Sequence, residues 1–156
     1  MKCVLFLYSG SDSAKAEQLK DYLQGKLRKV ADLRNITDIL AEEQDFKKEL
    51  SRSSCVVLTG SRHASSLIQN QRQETEDDFI TFDGKVIHDA FTGNKELLDR
   101  LVIVFFTERN KNDWIPTGLD ESRIFNLQGE EIQRGNPSLD HLEDCIKGIL
   151  TGKTRV

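Results

Sequence analysis

Cysteine is scarce and scattered in this chain: Cys3, Cys55 and Cys145 are an odd number, with neither the spacing of a zinc site nor that of a disulfide framework. Two fall in segments that read as strands and one in a helix, which suits small buried apolar residues, and none has the neighbouring activating group that a nucleophile needs. Long apolar runs are missing too. Nothing approaches the roughly 20 residues of a membrane-spanning helix, so no direct membrane insertion is expected. The opening Met1-Lys2-Cys3-Val4-Leu5-Phe6-Leu7-Tyr8 is followed by no small-residue cleavage site of a secretory signal and reads as a strand, which makes the cytoplasm the expected compartment. Nor is there an excess of positive charge. The net charge is -4 and the isoelectric point about 5.4, so a phosphate backbone has no general electrostatic reason to bind, and nucleic acid is not an expected partner.

What remains is an ordinary globular composition. With 156 residues, 37% hydrophobic and 31% charged, and a mean hydropathy of -0.49, residues 1–156 have apolar material for one core and not for two. Lys2 to Tyr8 is a nearly continuous apolar run that reads as a strand buried on both faces, closed by the polar turn Ser9-Gly10-Ser11-Asp12-Ser13. A helix follows, capped by Asp12 or Ser13, with Ala16, Leu19, Leu23 and Leu27 on one stripe and Gly25 at its frayed end. Lys29 to Leu33 is expected as a second strand. A connector, Arg34 to Asp38, leads into an amphipathic segment that ends near Ser51 and is held by Phe46 and Leu50.

Cys55 to Thr59 reads as the third strand, closed by Gly60-Ser61. After it, a short helix and an exposed polar loop are expected through Asp78, the acidic run Glu74 to Asp78 being solvated and not a metal site. Val86, Ile87, Ala90 and Phe91 form a helical stripe within Phe82 to Phe91. Leu101 to Phe106 is the strongest strand and is expected to lie centrally. Trp114-Ile115-Pro116-Thr117-Gly118 reads as a loop, Arg123 to Leu127 as a short edge strand, and Asn136-Pro137 as the start of a helix with Leu139, Leu142, Ile146, Ile149 and Leu150 on one face. Strands alternating with helices argue for an α/β, flavodoxin-like three-layer fold whose five-stranded parallel sheet has the order 2-1-3-4-5.

In such a fold ligands bind beyond the carboxyl ends of the strands, here Ser9 to Ser13, Arg34 to Asp38, Gly60 to His63 and Thr107 to Asn110. Ser9, Gly10, Ser11 and Ser13 could cradle a phosphate with backbone N–H groups at a helix N-terminus, or simply form a capped turn. The turn lacks the spacing of a P-loop, and Asp12 would repel an anion. Thr59 or Gly60 stands where a receiver domain needs its phosphoacceptor carboxylate. No Gly-x-Ser-x-Gly elbow occurs, and His63, His88 and His141 are spaced neither as metal ligands nor as a catalytic set.

The segment Val4-Leu5-Phe6-Leu7-Tyr8-Ser9, with its acidic-serine turn and amphipathic helix, resembles the first box of the SEFIR/TIR superfamily. Cys55 to Ser61 resembles the third strand and turn of that superfamily. Gly84-Lys85-Val86-Ile87-His88-Asp89-Ala90-Phe91 and Leu101 to Phe106 resemble its later helix and fourth strand. Trp114 to Leu119 and Arg123 to Leu127 look like the SEFIR ending. The resemblance implies an intracellular module of a receptor or adaptor, which joins like SEFIR/TIR domains, homotypically or heterotypically, in inflammatory and innate-immune signalling. It also implies weak self-association and no cofactor. Its interaction surfaces map onto Arg34, Asn35, Ile36, Thr37 and Asp38, and onto the helix carrying Lys85, His88 and Asp89. Some TIR relatives cleave NAD with a glutamate in a Trp-x-x-x-Glu pattern. This chain departs from that pattern: its one tryptophan, Trp114, lies far downstream, and Glu74, Glu76 and Asp89 are the alternative carboxylates for an NAD-cleaving or other nucleotide-binding enzyme.

Overall fold

The computed structural model describes residues 2–8, 13–27, 29–35, 48, 50, 52–60, 84–92, 95–106, 114–129, 131–133 and 135–151. Five strands, β1 (Lys2–Leu7), β2 (Ala31–Asn35), β3 (Cys55–Gly60), β4 (Leu101–Phe105) and β5 (Ile124–Asn126), form one sheet. All pairings are parallel and the order is β2-β1-β3-β4-β5, the flavodoxin-like arrangement that the alternation of elements implies. The helices are α1 (Ser13–Leu27), α2 (Gly84–Thr92), the single turn α3 (Lys95–Leu98) and α4 (Pro137–Thr151), with a 3₁₀ turn at Glu121–Arg123.

Parallel strands need helical crossovers, so the inner strands are covered on both sides and their sequences are apolar without alternation. Every residue of β3 and β4 is buried, as are Val4 to Leu7 of β1. The sheet registers sort the side chains into two faces. Lys2, Val4 and Phe6 share a face with Ala31 and Leu33 of β2, with Cys55 and Val57 of β3, and with Val102 and Val104 of β4. The Lys2 ammonium donates to the Leu150 carbonyl at the end of α4, which places α4 over this face. There α4 meets α1. A right-handed crossover from β3 to β4 carries α2 and α3 to the opposite face.

Helix α1 buries Ala16, Leu19, Leu23 and Leu27, the stripe read from the sequence. It continues past Gly25 to bury Leu27, and the turn after it closes with the Val30 N–H donating to the Leu27 carbonyl at 2.8 Å. This shifts β2 two residues beyond the expected Lys29 to Leu33. Lys29 and Val30 are turn residues, while Arg34 and Asn35 are the last two residues of the strand and not the start of a connector. β4 is an inner strand, but β3 occupies the middle of the sheet. Gly60 closes β3 instead of opening a turn, and β5 is the short edge strand expected. Leu50 is fully buried, whereas Phe46 and the segment 61–83 lie outside the described residues.

Two local features fix the end of β3 and the start of α4. A Cβ on Gly60 would lie 2.6 Å from Cε1 of Phe105, its register partner, and that ring is itself fully buried. Asn136 caps α4: its Oδ1 accepts from the Ser138 N–H at 2.9 Å and its carbonyl from the Asp140 N–H at 3.1 Å, with Pro137 at the first helical position. Gly60→Ala is therefore expected to lower unfolding free energy by about 1–3 kcal/mol through overpacking. Asn136→Ala is expected to lower it by about 1 kcal/mol through the lost cap. Chemical denaturation of each variant beside the unsubstituted chain measures both.

Candidate functional site

Helix α2 is anchored by Ile87 and Phe91, both buried, which fixes the outward direction of the residues between them. His88 is half-buried and Asp89 exposed, with side-chain exposures of 45% and 64%. The His88 Nδ1 lies 3.5 Å from the Asp89 Oδ1. The His88 carbonyl accepts from the Thr92 hydroxyl at 2.7 Å, so the last turn of the helix is closed by its own side chain. The imidazole also packs against the indole of Trp114, with ring centroids 6.4 Å apart and planes tilted by 41°, inside the range of favourable aromatic contact. Trp114 is itself buried and partly covers this end of α2.

The sequence-derived surface thus separates into parts. His88 and Asp89 share the outer side of α2, and Lys85 lies on the same helix, its side chain outside the described residues. Arg34 is half-buried on β2, in register with Leu5 and on the α2 side of the sheet, with β1 and β3 between β2 and β4. Asn35 ends the same strand. Ile36, Thr37 and Asp38 lie outside the described residues, as do Ser9, Gly10, Ser11, His63, Glu74 and Glu76. Ser13 is the first residue of α1. His141 is exposed on α4, away from His88 on α2. The His88–Trp114 contact was missed from sequence because the two residues belong to separate elements and share no periodicity.

At the opposite pole, basic side chains close the amino ends of the strands. Arg100 donates to the Ser53 carbonyl at 3.3 Å and to the Glu96 carboxylate at 2.9 Å, tying α3 to the approach of β3. Arg123 donates to the Asp99 carbonyl, tying the 3₁₀ turn to the approach of β4. Asp120 caps that turn, its Oδ1 accepting from the Ser122 N–H at 2.9 Å, and this backbone hydrogen bond holds its carboxyl below the usual carboxylate range. Cys55 is fully buried on β3. Burial, and secondarily the nearby Cys145 thiol, push the Cys55 thiol far above its ordinary range, and the Arg123 guanidinium only partly opposes this. Burial likewise raises Cys145, against a smaller downward pull from Arg123.

These thiols suit packing and not nucleophilic chemistry. Among the described residues no three His, Cys, Asp or Glu side chains gather as a metal site, and no helix is long and apolar enough to cross a membrane. Compared with protein-family models, with curated proteins and with solved structures, the chain matches none.

Because the thiolate is the reacting form, native Cys55 is expected to resist iodoacetamide at neutral pH over hours, and to react within minutes once the chain is unfolded in guanidinium. Peptide mass mapping of the alkylated cysteines checks this, and rapid native labelling of Cys55 would contradict it.

Proposed function

We propose that this chain is an intracellular, cytoplasmic signalling module of SEFIR/TIR type, closer to the SEFIR branch. In this reading it assembles with like domains of receptors or adaptors in inflammatory and innate-immune signalling. The observation that carries the reading is the meeting of His88 with Trp114. The segments that resemble the family's later helix and its proline loop, distant in sequence, pack together through this ring contact beside a parallel 2-1-3-4-5 sheet. The helix presents a histidine and an exposed carboxylate from a buried apolar anchor, so little side-chain or backbone ordering is required when a partner of complementary charge docks. The segment from Arg34 to Asp38, on the same side of the sheet at its start, supplies the second contact, with Ile36 as its apolar anchor. No cofactor enters this activity.

Asp89→Lys and Ile36→Asp are each expected to lower co-precipitation of a SEFIR-domain partner by about tenfold or more, since a reversed charge or a buried carboxylate opposes docking. The thermal midpoint should stay nearly unchanged. Full capture by both variants would overturn the surface. Concentrated protein incubated with NAD is expected to release no nicotinamide or ADP-ribose beyond a heat-denatured control. Turnover would replace this reading with an NAD-cleaving one.

A further inference from the structure

β2 is the end strand of the sheet formed by the described residues, so one of its two hydrogen-bonding edges has no neighbouring strand in that sheet. Edges of this kind are commonly blunted by proline, a bulge, charged side chains or a covering helix or loop. Ala31–Asn35 has no proline, and its register with β1 advances residue for residue from Lys2↔Ala31 to Phe6↔Asn35, without a bulge. Its charged residues, Asp32 and Arg34, are opposite in sign and two positions apart. Both lie on the face away from the buried Ala31 and Leu33, Asp32 exposed and Arg34 half-buried.

We propose that two copies of this chain pair edge to edge through β2, antiparallel and centred on Leu33, joining their sheets into one. Alternate residues of a strand direct their backbone N–H and C=O groups to opposite edges, so outward-directed residues of one copy must meet outward-directed residues of the other. The two-fold axis must therefore pass through a residue and not between residues. Centring on Asp32 sets two carboxylates against each other, and centring on Arg34 does the same with two guanidinium groups. Centring farther out leaves most of the five-residue strand unpaired. Centring on Leu33 pairs the whole strand and places each Asp32 opposite the partner copy's Arg34, twice over by symmetry.

Directly opposed side chains in an antiparallel pair are close neighbours, so these contacts select the register. Val30, 48% exposed in the turn that enters β2, flanks the seam with apolar surface. The contact is short, so the dimer forms at high concentration and dissociates on dilution. The proposal goes beyond the SEFIR/TIR reading and does not depend on it, because it uses β2 alone.

Sedimentation equilibrium of the full chain at increasing concentration, with the variants Asp32→Arg and Arg34→Asp, tests it. The unsubstituted chain should approach twice its 17.8 kDa mass. Each variant alone faces like charges across both pairs and should dimerise at least about tenfold more weakly. An equimolar mixture of the two variants should recover the dimer, since one copy then carries two arginines where the other carries two aspartates. The doubly swapped chain, Asp32→Arg with Arg34→Asp, should recover it as well, which keeps the test decisive if either single variant fails to fold. A chain that keeps its single-copy mass up to its solubility limit overturns the proposal. So do single variants that dimerise like the unsubstituted chain, or a folded mixture that stays dissociated. Partner capture through α2 is a separate readout, so failure of either result leaves the other standing.

Discussion

Two-sided burial of the parallel sheet governs the rest of this molecule. Parallel strands joined by crossovers are covered above and below, and a strand so covered can carry almost nothing polar at its centre. β3 and β4 meet that demand along their whole length, with Thr59 as the single polar side chain among their buried positions. Each helix is then obliged to spend one face on the sheet. α1 uses Ala16, Leu19, Leu23 and Leu27, and α4 uses Leu139, Leu142, Ile146, Ile149 and Leu150. Among the described residues, the opposite faces of the helices, the strand ends and the outer edges of β2 and β5 remain for recognition.

The two poles of the sheet are built differently. At the amino pole Lys2, Arg100 and Arg123 reach backbone carbonyls left over at the ends of helices and turns, groups that would otherwise need water. Long basic side chains suit this work because their apolar stems lie along the core while their heads find acceptors. The carboxyl pole takes its rigidity from close packing, as where Phe105 lies over Gly60. Polar groups displayed on α2 are held by the same means, through the buried Ile87 and Phe91 and the Trp114 ring against His88.

Much of this architecture was legible in the linear chain, for a reason visible in β1, β3 and β4: uninterrupted apolar runs are the direct imprint of two-sided burial. α4 was equally legible, because Asn136, Pro137 and a regular apolar stripe speak for the same helix. β2 was misplaced because it is half-covered. Its buried residues, Ala31 and Leu33, alternate with charged ones, and Lys29 and Val30, expected as its first residues, belong to the turn that lets α1 finish burying Leu27. That two-residue shift moved Arg34 and Asn35 from a loop into a strand edge. On the site itself, the outward residues of α2 could be named from helical spacing, whereas their packing against Trp114 depended on the path of the intervening chain and left no local signature.

The bond from Lys2 to the Leu150 carbonyl brings the beginning of β1 and the end of α4 to the same pole. If the two ends were pulled apart, β1 would be held by two ladders of hydrogen bonds, to β2 on one side and β3 on the other. α4, held to the sheet mainly by side chains, would instead be lifted from its last turn, a few contacts at a time. Mechanically the domain is therefore uneven: tension would strip the final helix first and uncover the face of Val57 and Val102 while the five strands still held.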